Sequence, residues 1–160
     1  MKIRVLFVCL GNICRSPMAE AVFAHMVNEA GLSEQIEIDS AGTGDWHIGA
    51  TAHHGTLAIL QENGIPYDGR GRQIRVADLS SFDYIITMDD ENLRNVKRLG
   101  SGRAMVKPLL DFTALDSPTR QHSIREVPDP YFTGGFDVVY GLVREGCAGL
   151  LQTIRDEHNL

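Results

Sequence analysis

In the stretch VCLGNICRSP, Cys9 stands six positions before Arg15, with Gly11 and Asn12 between them. A thiolate is a strong nucleophile, and a guanidinium is a planar two-pronged donor matched to a pair of phosphate oxygens. Gly11 lets the backbone wrap tightly, and Asn12 tolerates left-handed geometry. If a helix begins just after this loop, its free N–H groups add a backbone site for an anion. Leu10, Gly11, Asn12, Ile13, Cys14 and Arg15 would then cradle a tetrahedral dianion over Cys9. A helix N-terminus and an adjacent arginine both favour the thiolate form of a cysteine.

A phosphate ester also needs a proton for its leaving oxygen. In EVPDPYFTGGF, Asp129 lies between Pro128 and Pro130, which stiffen the backbone around it. A rigid loop of this kind can hold a carboxyl over an anion as general acid and then as base for water. Tyr131 and Phe132 follow directly and can wall a slot for a flat substrate. Trp46, the only tryptophan, sits in AGTGDWHIG and is read either as a slot residue or as a packing anchor. Cys14 admits two roles, packing or redox. If its sulfur nears that of Cys9, the two can form a reversible disulfide that protects Cys9 from over-oxidation. Cys147 falls on an apolar helical stripe and is expected in the core.

These residues need a scaffold. Residues 3–8 read as a buried strand, with Ser16 and Pro17 as N-cap and first residue of a helix stopped by Gly31. Further strands are expected at 36–40, 84–88 and 105–107. Helices are expected at 51–63, at 89–99 and from Phe136 onward, and residues 111–135 read as a long loop. Strands alternating with helices predict a three-layer α/β/α domain over residues 1–160, built on a four-stranded parallel sheet. The phosphate loop would join the first strand to the first helix. Such sheets bind ligands at the carboxyl ends of their strands, where Cys9 is placed.

With 43% hydrophobic and 22% charged residues, the chain can bury a core. A net charge of −6 argues against general nucleic-acid binding. No apolar run has the ~20 residues needed to span a membrane. Three cysteines do not make a disulfide framework and suit a reducing compartment, the cytoplasm. His53 and His54, being adjacent, are expected to point apart on a helix, and no metal site is expected. Arg70, Arg72 and Arg75 are expected to be solvated.

VCLGNICRSPMAE together with the late DPY closely resembles the low-molecular-weight protein tyrosine phosphatases. DSAGTGDWHIG, RQI, FDYIITMDDENL and FDVVY extend the resemblance nearly end to end. The resemblance implies a metal- and cofactor-free enzyme acting on phosphotyrosine proteins and, in vitro, on small aryl phosphates. It implies Cys9 as the nucleophile of a cysteinyl-phosphate, Arg15 as phosphate binder and Asp129 as general acid and base. Ser16 would hydrogen-bond the Cys9 sulfur, and Ser40 would partner Asn12. Trp46, Tyr131 and Phe132 would line the slot. Many members carry a loop-bracing histidine where this chain has Gly69, near Asp89 of the same supporting shell. Rival readings are an arsenate reductase, opposed by the absence of cysteine between residues 15 and 146, and a phosphoarginine phosphatase, opposed by the apolar Ile13. A non-catalytic phosphotyrosine or oxyanion-binding module would have no need of both Cys9 and Asp129.

Overall fold

The computed structural model describes residues 2–160. Its centre is one sheet of four parallel strands: β1 (Ile3–Cys9), β2 (Ile36–Gly42), β3 (Tyr84–Thr87) and β4 (Met105–Pro108). They lie in the order β2-β1-β3-β4. Successive side chains of a strand face opposite sides of the sheet. Val5, Phe7 and Cys9 accordingly join one apolar cluster, while Leu6 and Val8 join the other. Burial on both faces explains why β1 is a nearly continuous apolar run rather than an alternating one.

The first cluster is closed by α1 (Arg15–Glu29), α2 (His54–Glu62) and the long α7 (Phe136–His158). The second is closed by α3 (Asp78–Ser81) and α4 (Asp90–Leu99). The three-layer α/β/α architecture is therefore the one expected. Cys147 is fully buried on α7, and burial pushes its thiol pKa up.

Several boundaries differ from expectation. Helix α1 begins at Arg15, with Cys14 in the cap position and no side-chain cap, so Ser16 is not the N-cap. Its hydroxyl is committed to other partners, described below. Strand β2 runs on through Ala41 and Gly42, pairing with Val8 and Cys9. Helix α2 starts late because Thr51 is held in an antiparallel bridge with Arg70. His53 precedes that helix as its cap, with extended backbone, and its Nδ1 accepts from Gly55 N–H. The rings of His53 and His54 therefore stack at 4.2 Å instead of diverging. The expected loop 111–135 contains the end of a 3-10 turn (Leu109–Phe112) and two short helices, α5 (Pro118–Gln121) and α6 (Pro130–Thr133). Arg72 is not a solvated side chain: it pairs with Asp78 and Asp39. Among the described residues, no helix is long and apolar enough to cross a membrane.

Candidate active site

The segment from Cys9 to Arg15 links the end of β1 to the start of α1. Four of its carbonyls accept from groups outside the loop. Thr43 N–H donates to Cys9, Gly44 N–H to Leu10 and His53 N–H to Ile13, while Thr56 Oγ1 donates to Cys14. Among the described residues, the N–H groups of Gly11, Asn12, Ile13 and Cys14 find no protein acceptor. Asn12 takes the left-handed conformation anticipated for it, with φ 57°. The result is a backbone cradle for an anion at a helix N-terminus, and it explains why α1 has no side-chain cap: a cap would consume the same donors.

Arg15 is only 2% exposed. Nη1 donates to Asp89 Oδ2 at 2.6 Å and to the Val127 carbonyl at 3.0 Å. Nη2 reaches Asp129 Oδ2 at 3.3 Å. Burial works to lower the Arg15 pKa, but the neighbouring Cys9, Asp89 and Asp129 outweigh it and raise the net value. Its Nε is buried without a partner. A buried, charged N–H with no acceptor is costly unless a ligand supplies one. Asp89 divides its carboxylate: Oδ2 holds Arg15, and Oδ1 caps α4 by accepting from Asn92 N–H at 2.8 Å.

Cys9 Sγ lies 3.1 Å from Ser16 Oγ. Asn12 Nδ2 donates to Ser16 Oγ at 2.7 Å and to Ser40 Oγ at 3.0 Å. Asn12 Oδ1 accepts from Arg72 N–H, which ties the loop to the segment before α3. Ser16 thus lies against the Cys9 sulfur and Ser40 against the Asn12 amide.

Above the floor is a cavity of about 470 Å³ lined by Cys9, Leu10, Gly11, Ile13, Cys14, Trp46, His47, Asp129, Tyr131 and Phe132. Asp129 caps α6, accepting from Tyr131 N–H through Oδ1, and turns Oδ2 toward Arg15. Trp46, Tyr131 and Phe132 are 67%, 52% and 71% exposed, which suits walls rather than a packed core. Tyr131 and Phe132 meet edge to face, and Tyr131 also approaches His47 and His53. Cys14 faces the same cavity. Burial, then the charges of Cys9 and Asp129, push its pKa to about 12. His47 and His53 were missed in the sequence. His47 adjoins Trp46 and shares its loop, a signal that was available. His53 reaches the rim only through its cap geometry, and burial, reinforced by His54, lowers its pKa.

A thiol at a strand end, beneath an anion cradle and beside a buried arginine and a carboxyl, is the arrangement that cysteine-dependent phosphoryl transfer requires. Residues 4–160 match the family described as low molecular weight phosphotyrosine protein phosphatase, and the chain belongs to that family. It is 46% identical to the low molecular weight protein-tyrosine-phosphatase YfkJ of Bacillus subtilis, with 99% of each chain covered. The crystal structure of YfkJ superposes with a TM-score of 0.92, covering 99% of this chain and 98% of that one. A protein tyrosine phosphatase from Entamoeba histolytica matches at 32% identity and a TM-score of 0.86, over 99% of this chain and 100% of that one. The Drosophila arginine phosphatase DARP matches at 32% identity and a TM-score of 0.86, over 97% of this chain and 98% of that one.

Proposed function

We propose that this chain, acting as one catalytic domain, hydrolyses phosphotyrosine in proteins through a cysteinyl-phosphate. The observation that supports it most is the buried, unpartnered Arg15 Nε beside a loop whose N–H groups lack protein acceptors. Together these donors match the oxygens of a phosphate held over Cys9. Cys9 Sγ attacks phosphorus, and the bond to the phenolic oxygen breaks with its electron pair on that oxygen. Asp129 supplies the proton. An oxyanion that takes Arg15 Nη2 draws it from Asp129, releasing that carboxyl toward the ester oxygen. In the second half, a water oxygen bonds to phosphorus and Asp129 takes the water proton. The P–S bond breaks with its pair returning to Sγ, and inorganic phosphate leaves.

The aromatic walls of Trp46, Tyr131 and Phe132 suit a phenyl ring, and the apolar Ile13 adds to that surface. Free thiols at all three cysteines suit a reducing, cytoplasmic setting. The test is turnover of a phosphotyrosine peptide and of p-nitrophenyl phosphate with a chelator present. Turnover of both, abolished by Cys9→Ser, is expected. The likeness to DARP makes phosphoarginine the competing substrate to assay in parallel. Faster turnover of phosphoarginine than of phosphotyrosine would replace the substrate assignment and leave the mechanism at Cys9 standing.

A further inference from the structure

Glu20 lies on α1 one turn beyond Ser16, and the phosphoryl chemistry gives its carboxyl no part. Its Oε1 accepts from Ser40 Oγ at 2.5 Å and from Tyr67 Oη at 2.9 Å. Burial raises its pKa, opposed by those two hydrogen bonds. An ionised carboxylate can only accept, so both hydroxyl hydrogens point at it. Ser40 Oγ, its hydrogen committed, must accept from Asn12 Nδ2. The second Nδ2 hydrogen goes to Ser16 Oγ. Ser16 keeps its own hydrogen, and Cys9 Sγ at 3.1 Å is nearer than the alternative acceptor, the Ala41 carbonyl at 3.4 Å. Glu20 thereby fixes Ser40 as an acceptor and so selects the Nδ2 edge of Asn12 for both serines; that edge fills the acceptor side of Ser16 Oγ and leaves the Ser16 hydrogen for Sγ.

Tyr67 holds the outer end of this chain, and the sequence makes room for it. A Cβ at Gly69 would lie 2.3 Å from Tyr67 Oη and 2.6 Å from Cζ. Gly69 is not among the residues with positive φ, so glycine serves here for space and not for backbone geometry. The tyrosine hydroxyl occupies the volume that a side chain at 69 would claim.

We infer that Tyr67 is a positioning residue for the reaction at Cys9: its hydroxyl holds Glu20 as a fixed acceptor, so that Ser16 donates to the Cys9 sulfur, and Gly69 provides the room. The inference rests on the phosphatase reading above. A hydrogen donated to Sγ matters most when the P–S bond breaks and the electron pair returns to sulfur. Loss of the Tyr67 hydroxyl therefore slows breakdown of the cysteinyl-phosphate more than its formation.

The test is burst kinetics of Tyr67→Phe with p-nitrophenyl phosphate, a change that keeps the ring. The expected result is a kcat lowered about fivefold, the effect of one hydrogen bond in a charged network. The burst rate should stay within about twofold, inhibition by inorganic phosphate should be unchanged, and acid quenching should trap more phosphoenzyme. A second pair, Tyr67→Ala and Tyr67→Ala/Gly69→His, asks whether a donor to Glu20 is what matters, with thermal melts confirming that each variant is folded. The double variant should recover most of the rate lost by the single one. Unchanged Tyr67→Phe kinetics, burst and steady-state rates falling together, or no recovery in the double variant would each overturn the inference. Absence of turnover in the wild type would overturn the phosphatase reading and this inference with it.

Discussion

The floor of the cavity and its rim are built on opposite plans. The floor comes from one continuous segment, Cys9 to Ser16, fixed between the central strand and the helix that follows it. Cys9, Asn12, Arg15 and Ser16 are all buried, and each has a defined partner. The rim is gathered from two distant segments, around Trp46 and around Asp129 to Phe132, and its aromatic rings are mostly exposed. A site that must stabilise a transition state needs donors that do not reorganise, and the floor supplies them. A site that must admit a ring on a protein surface needs an open apolar slot, and the rim supplies that. The comparison separates bond-making, assigned to the floor, from recognition of the leaving group, assigned to the rim.

Four substitutions test that separation, in order of falling effect. Cys9→Ser should remove turnover below detection while inorganic phosphate, followed by calorimetry, still binds; persistent turnover would place the nucleophile elsewhere. Asp129→Asn stands at the junction of the two regions. It should slow phosphotyrosine hydrolysis on the order of 10²–10⁴-fold. p-Nitrophenyl phosphate should suffer much less, because nitrophenolate leaves with little help. An equal loss across leaving groups of different basicity would move the acid to another residue, with Asp89 and Asp137 next in turn. Arg15→Lys keeps the charge and loses the fork, and should lower kcat/KM on the order of 10²-fold. Near-normal activity would break the account of the floor.

The smallest effect belongs to the rim. A Cβ at Gly44 would sit 1.9 Å from the Trp46 ring, so Gly44→Ala must swing the indole. KM for aryl phosphates should rise about threefold, with kcat and phosphate inhibition unchanged, as expected for loss of ring contact alone. A fall in kcat would show that rim and floor are not independent.

The same contrast explains what could be read from sequence. The floor was legible because its residues are close in the chain and each type has one physical reason to be there: Gly11 and Asn12 for the turn, Cys9 at the strand end, Arg15 six positions on. The strands were legible as apolar runs buried on both faces. The partners of Arg15 were less so. Asp89 and Val127 meet it across 74 and 112 positions, separations that no local pattern encodes. The expected start of α1 at Pro17 lies two residues late because a serine before a proline reads as a cap, whereas here the donors of the first turn are left to the anion cradle. His53 was misjudged because a cap residue with extended backbone was treated as helical. The segment 111–135 read as loop because its helices have four residues each, too few for a periodic signal.

The partners of Arg15 also bear on the order in which a growing chain becomes competent. The guanidinium belongs to α1, but two of its three partners, Val127 and Asp129, follow it by 112 and 114 positions and are synthesised well after it. Until they arrive, a charge destined for burial has only Asp89 to meet it, and ion pairs left incomplete in the interior are destabilising. The strand and helix that hold Cys9 are available to fold before either of those partners is made. The cradle around Cys9 is thus formed early and sealed late, so a nascent chain stopped before residue 127 would display the thiol beside an arginine that still lacks two of its three partners.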